Sequence, residues 1–251
     1  MAFLDKLDGF YGTGERNQAG ESLEEFLAGY NPKKYDSPSN TTDMVVVRCR
    51  EKLVSWGQPL EVLLVKRSNH PSIGMWATPG GFVEMREDLE AGAARELEEE
   101  TGVRNLPLQQ LRTWGNYDRD PRWRVITTSF LALVEGDIPV KAGDDAADAL
   151  WMQVSLEREE LKTEAVMADS ADGIPVSSLA AADHTEEIWN LRLKNQTRGI
   201  LAGARVQITR SIHPLLPQEK FKLLESNGLA VDHGCIITHA LLYLKSQLER
   251  N

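Results

Sequence analysis

Residues 81 to 103 read GFVEMREDLEAGAARELEEETGV, and this stretch restricts the fold more than any other part of the chain. Pro79-Gly80-Gly81 makes a sharp break before it. The spacing then predicts a helix from about Asp88 to Thr101, closed by Gly102 in the position that favours a left-handed cap. At about 100° per residue, Glu96, Glu99 and Glu100 share one helix face within roughly one turn. Leu89, Ala93, Ala94 and Leu97 spread over the adjoining sector and supply the face expected to bury. Gly92 leaves room on the carboxylate side, and Arg95 is placed to reach Glu99 four residues on. Three carboxylates this close repel one another and take up protons unless a cation compensates them. Hard oxygen donors on a rigid helix suit Mg²⁺, or Mn²⁺, which also grips substrate phosphates. The ordinary alternative is a solvated acidic helix face.

Strand patterns surround this helix. Thr42 to Arg48 is rich in valine, and Leu60 to Lys66 follows after Ser55, Gly57 and Pro59, as a hairpin connection requires. Leu111 to Trp114, Arg124 to Leu133 and Leu150 to Val154 read as further strands. Several short strands with few helices predict an α/β (α+β) chain, an α/β/α sandwich with a mixed sheet. Residues 1–41 read as an N-terminal extension with a short helix near Ser22 to Tyr30, and 42–251 as a single domain interrupted at about 163–228. Inside that interruption, Glu187 to Leu193 and Ile200 to Ile208 alternate as an inserted β-hairpin would, and Ala168 to Asp183 is small and polar. A last helix is expected from about Cys235 to Leu248.

Charge and composition narrow the function classes. With 251 residues the chain can bury a full core without disulfides, and its two cysteines, Cys49 and Cys235, read as reduced thiols. A net charge of -10 argues against nucleic acid as a partner, because backbone affinity rests on Lys and Arg. No apolar run approaches a membrane span, and Asp5 and Asp8 interrupt the start where an export signal needs apolar residues, so a cytoplasmic protein is expected.

The full pattern Gly81, Glu87, Arg95, Glu96, Leu97, Glu99, Glu100, Gly102, Val103 would arise by chance in roughly one window per billion. It resembles the Nudix box, the signature of the Nudix hydrolases, and no fixed position departs from it. The resemblance implies a loop–helix–loop that binds divalent cations and hydrolyses a nucleoside diphosphate linked to another moiety. It implies Glu96, Glu99 and Glu100 as the chief metal ligands, Glu87 in support, and Arg95 orienting a glutamate. The resemblance continues through Lys66-Arg67, Trp76 to Phe82, Tyr117 to Arg124 (YDRDPRWR), Gly143 to Ala146 and Leu229 to His233, and there it is similar to the ADP-ribose pyrophosphatase-like group. ADP-ribose or a similar nucleotide is then the implied substrate, giving AMP and a sugar phosphate. The expected substrate-binding residues are Arg67, Gly81, Arg119, Arg122 and Arg124, with Trp114, Tyr117 and Trp123 available to stack on adenine. The alternative for Arg119 and Asp120 is a structural pair, and for the tryptophans the core. His184 and His233 read as helix-start or packing residues.

Glu99, Asp144, Asp145, Glu186 and Glu187 are all open as the proton acceptor. Two further functions stay in play: a non-catalytic ADP-ribose-binding sensor that controls transcription, and a nucleoside triphosphate-directed Nudix hydrolase. The acidic charge, the intact box and the end of the chain directly after its last helix weigh against the sensor. Relatives of this group are commonly homodimers, and Phe3, Leu4, Phe10 and Tyr11 make residues 1–41 the expected contact.

Overall fold

The computed structural model describes residues 3–143, 146–159, 184–211 and 218–250. Contacts divide the chain after Pro38. The first unit carries a 3₁₀ turn at Asp8–Phe10 and the helix α1 (Leu23–Gly29), neither of which buries a residue. A capping box starts α1: the Glu25 N–H donates to Ser22 Oγ at 3.3 Å, and the Ser22 N–H donates to Glu25 Oε2 at 2.8 Å.

The second unit is built on β1 (Ser39–Cys49), β2 (Glu61–Arg67), β3 (Trp76–Ala77), α2 (Leu89–Thr101), β4 (Gln109–Trp114), β5 (Val125–Glu135), β6 (Ala146–Glu159), β7 (His184–Asn195), β8 (Ile200–Ser211), β9 (Glu219–Asn227) and α3 (His233–Leu248). The strands form one mixed sheet in the order β4-β5-β1-β2-β6-β7-β8-β9, with β3 beside β2. β1 and β5 run parallel, pairing Ser39 with Val125 through Cys49 with Glu135. Helices on both faces give the expected α/β/α arrangement. β1 is apolar on both sides because it lies between them: Met44 and Val46 face the α2 layer, Val45 and Val47 the α3 layer.

α2 buries Gly92, Ala93, Leu97 and Thr101, whereas Leu89 and Ala94 are exposed. The buried stripe is thus rotated from the one expected, because Gly92 lets the Glu87 carboxylate pack against the helix. A Cβ at Gly92 would stand 2.9 Å from Glu87 Oε2. Burying Leu97 among Met44, Val46, Leu63 and Phe130 contributes about 2 kcal/mol. Gly102 takes φ 73°, and its N–H donates to Glu98 O at 2.8 Å. The Gly143 N–H donates to the Glu100 carbonyl and the Lys141 N–H to that of Thr101, so both carbonyls at the helix end have partners. Gly143 lies so close that a Cβ there would reach 1.8 Å from Glu99 O.

β7 and β8 form the expected hairpin, joined at Gln196 to Gly199, and they continue the central sheet directly from β6. A third strand, β9, was not expected from its sequence. The stretch from 163 to 183 lies outside the described residues. Because the sheet twists over so many strands, it curls round α3 until its outer strands meet. Trp114 of β4 lies 5.4 Å from Phe221 of β9 with His239 of α3 against both, and Arg112 Nη2 donates to Glu219 O at 2.9 Å. α3 is apolar almost all round for that reason, burying Cys235, Ile236, Ile237, Ala240, Leu241 and Leu244.

Candidate active site

One end of the sheet opens into a cleft of about 400 Å³. Its lining includes Glu96, Glu100 and Gly81, Arg67 to Pro71, and Phe82, Asp120 and Arg122. Asp43, Thr78, Arg119 and His233 also line it, deeply buried.

Arg95 organises the carboxylates. Its Nε and Nη2 grip Glu87 at 2.8 and 3.0 Å, Nη1 donates to Glu96 at 2.8 Å and to Glu99 at 3.0 Å, and Nη2 also reaches Phe82 O at 3.0 Å. A planar fork makes these contacts simultaneously, which a lysine could not. The Arg95 hydrogen bonds, followed by the Glu84 N–H, hold the Glu87 carboxyl down at about 2. Arg95 itself is held above its usual value, first by Glu87.

Glu96 and Glu100 differ from their neighbours. Burial raises both, against the Arg95 contact for Glu96 and the Gly80 N–H for Glu100. Glu100 reaches about 7, with the negative charges of Glu96 and Asp43 adding to the rise and Arg67 opposing it. Its anchor is the Gly80 N–H, which donates to Glu100 Oε2 at 2.9 Å. Gly80 and Gly81 are required by close approach. A Cβ on Gly80 would lie 2.0 Å from Thr42 O, and one on Gly81 would lie 2.4 Å from the Glu96 carboxylate.

Of the residues singled out from sequence, Arg67, Gly81, Glu96, Glu100, Arg119 and Arg122 come together around the cleft. Glu87 and Glu99 lie outside its lining, on the Arg95 side, and the Glu99 side chain is 58% exposed. Arg67 Nε is held by Pro71 O at 2.7 Å. Arg122 is bidentate to Asp120, which lowers that carboxyl, and lies 5.5 Å over the Phe82 ring. Arg124 does not reach the cleft: it donates to the carbonyls of Gly115 and Asn116 and braces that loop. Trp114 is buried in the α3 core, so it is no stacking platform, whereas Tyr117 and Trp123 are exposed. Glu187 is engaged by Arg158, Arg210 and Trp189 on β7, away from the cleft lining. Glu186 shares that strand and is likewise absent from the lining, while Asp144 and Asp145 lie outside the described residues.

Sequence reasoning missed the inner cleft. Arg119 donates to Asp232 through Nε at 3.0 Å and Nη2 at 2.8 Å, and the same Nη2 stands 3.9 Å from Asp43. Asp43 accepts from the hydroxyls of Thr78 at 3.0 Å and Thr127 at 2.7 Å. The Thr78 N–H donates to His233 Nδ1 at 3.2 Å. One signal was available: Asp43 is the acid in a strand otherwise buried as Met44 to Val47, and a buried charge must be paired.

Among the described residues, no three His, Cys, Asp or Glu side chains stand gathered as a cation cage. The carboxylate oxygens are instead engaged by other donors: Arg95 donates to Glu87, Glu96 and Glu99, and the Gly80 N–H to Glu100.

Residues 41–170, just over half of the chain, match the NUDIX domain family. The chain is 42% identical over 115 residues to an ADPR responsive transcriptional repressor NtrR of Acinetobacter baylyi, covering 45% of this chain and 44% of the relative. It is 45% identical over 95 residues to an ADP-ribose pyrophosphatase of Methanocaldococcus jannaschii, covering 38% of this chain and 56% of the relative. The chain thus spans about half the length of these curated relatives. Among solved structures it is similar to a MutT/nudix family protein from Enterococcus faecalis, with a TM-score of 0.58 and 31% identity over 90% of this chain and 70% of the other. A family match across β1 to β6, the box helix included, together with a neighbour that shares nearly the whole fold, leaves one assignment: the chain belongs to the NUDIX domain family.

Proposed function

We propose that the protein is a Mg²⁺-dependent pyrophosphohydrolase that cleaves the diphosphate of ADP-ribose, or of a similar nucleoside diphosphate-linked compound, to AMP and a sugar phosphate. The observation that carries this reading is the pairing of Glu96 and Glu100 on the wall of a cleft that also holds Arg67 and Arg122. Their surroundings fit a divalent cation. Gly81 leaves space that a Cβ would fill, and Glu100 is pushed to about 7 by a buried site short of positive charge. Glu96 and Glu100 would hold Mg²⁺ or Mn²⁺, with Glu99 joining and Glu87 supporting through Arg95. When bound, such a cation neutralises phosphate oxygens and lowers the pKa of a water. Arg67 and Arg122 place guanidinium groups beside the substrate, and the buried wall behind them limits access of bulk water.

The organisation that accompanies this reading is a single Nudix hydrolase domain at 42–251, interrupted at about 163–228, after an extension at 1–41. A cytoplasmic homodimer is part of the same proposal, with Phe3, Leu4, Phe10 and Tyr11, all exposed, as the contact in the extension. No described helix is long and apolar enough to cross a membrane. The 42% identity to a repressor that responds to ADPR favours a second reading, a sensor that binds ADP-ribose without cleaving it. A turnover panel of ADP-ribose, nucleoside triphosphates and NADH with Mg²⁺ or Mn²⁺ tests both. Metal-dependent release of AMP from ADP-ribose is expected; ADP-ribose binding without turnover would replace the enzyme reading with the sensor.

A further inference from the structure

Thr78 is 2% exposed, lies directly before the Pro79-Gly80-Gly81 turn, and makes three contacts that no packing role requires. Its hydroxyl donates to Asp43 Oδ1 at 3.0 Å and stands 2.8 Å from His233 Nδ1, while its N–H donates to the same nitrogen at 3.2 Å. Asp43 is in turn held by Thr127 and faced by Arg119, which Asp232 fixes in a bidentate pair. Asp43 of β1 and His233 of α3 therefore hold Thr78 directly, and Thr127 of β5 and Arg119 of the loop before it act one step further out, on Asp43.

The segment that follows is the one on which the carboxylates depend. The Met44 N–H donates to Pro79 O at 2.8 Å and the Thr42 N–H to Gly81 O at 2.9 Å, so the turn lies flat on β1. From there the Gly80 N–H grips Glu100, and Gly81 leaves the Glu96 carboxylate its space. A displacement of this turn would therefore change both the Gly80 hydrogen bond to Glu100 and the space that Gly81 leaves for Glu96.

We propose that Thr78 is a positioning residue for the cation-facing pair Glu96 and Glu100, fixed in its role by Asp43 and His233. This rests on the reading of those carboxylates as cation donors. Outer partners that orient ligands typically change metal affinity by about 10–100-fold when removed. Valine is the isosteric substitution without the hydroxyl, and serine keeps the hydroxyl without the methyl.

The experiment is Mn²⁺ binding to the full chain, measured by calorimetry without substrate, alongside kcat and KM for ADP-ribose. Thr78→Val is expected to weaken Mn²⁺ binding at least tenfold and to lower kcat more than it raises KM, with Thr78→Ser close to the parent. Should Thr78→Val fail to fold, His233→Leu, which removes the acceptor of the Thr78 N–H, is expected to weaken Mn²⁺ binding in the same sense. Unchanged Mn²⁺ affinity in a folded Thr78→Val or His233→Leu protein overturns the proposal, as does a serine variant as impaired as the valine one. A parent protein that takes up no Mn²⁺ overturns the cation reading itself, and this proposal with it.

Discussion

Replacing Glu100 by glutamine should make the metal-free protein more stable at pH 8, although it removes a carboxylate from the site. Burial lifts the Glu100 carboxyl from 4.5 to about 7, a difference of about 2.5 units. At 1.36 kcal/mol per unit this makes the ionised side chain cost about 3 kcal/mol in the folded state. That figure already includes the Gly80 N–H, which the glutamine oxygen still accepts, and the amide nitrogen that replaces the second oxygen returns about 1 kcal/mol of desolvation. The net gain is about 2 kcal/mol, or roughly 4–8 °C in Tm for a unit of this size. The sign follows from linkage: below pH 4.5 the carboxyl is protonated in both states and contributes nothing. Between 4.5 and 7 the unfolded chain releases its proton first, so the penalty accrues as pH rises and is complete above 7. Paired thermal melts of Glu100→Gln and parent, in chelator, at pH 4.5 and pH 8 read the difference. Adding Mn²⁺ should raise the melting temperature of the parent only. A variant less stable than the parent at pH 8, or a stability difference that does not change with pH, would refute the reasoning.

Two further outcomes follow from the same geometry. Arg95→Lys keeps the charge but cannot span Glu87, Glu96, Glu99 and Phe82 O together, so activity should fall about 10–100-fold while circular dichroism is unchanged; full activity would show that the fork is dispensable. His239 is lowered from 6.5 to about 4 by burial, with Arg112 and Arg210 helping and Glu219 opposing, and stability tied to the neutral ring should be lost as pH falls from 6.5 to 4. Urea unfolding should show His239→Leu flattening that acid slope by up to about 3 kcal/mol, and an unchanged slope would count against a neutral ring in the seam. Glu100 and His239 act with opposite sign over nearly the same range, so the parent should look less pH-dependent than either variant.

What could be read from sequence was local. The box helix, its left-handed cap and the Arg95–Glu99 contact all lie within one 23-residue window, where helical period and glycine chemistry suffice. β1, β2, β5 and α3 were legible for the same reason, since a valine run or an apolar helix announces itself without reference to partners. The inner cleft was not, because its contacts join residues 35, 113 and 155 positions apart. Thr78 and Asp232 lie in segments that carry the resemblance, but neither they nor Asp43 reveal their partners until the fold brings them together. β9 was missed because its alternation is interrupted by Leu223-Leu224 at the bulge opposite Arg205 and Val206. From sequence, Arg124 is expected at the substrate and Trp114 stays open between stacking and core, because residue type alone cannot say which face of a strand or loop meets the cleft.

The strands β7 to β9 contribute no residue to the lining of the cleft, yet the cleft depends on them. α3 begins in the cleft, where Asp232 at its N-terminal boundary fixes Arg119 and His233 fixes Thr78. One turn later the helix is apolar on nearly every side, and what covers it is Leu191 and Leu193 of β7, Ala204, Val206 and Ile208 of β8 and Phe221 of β9. A helix of that composition cannot face water on its outer side, since each exposed isoleucine or leucine would forfeit about 2 kcal/mol. Gly234 shows how closely the cover fits, because a Cβ there would stand 2.4 Å from the Ala204 side chain. The sheet extension is therefore the support that holds the first turn of α3, and with it Asp232 and His233, in place at the cleft.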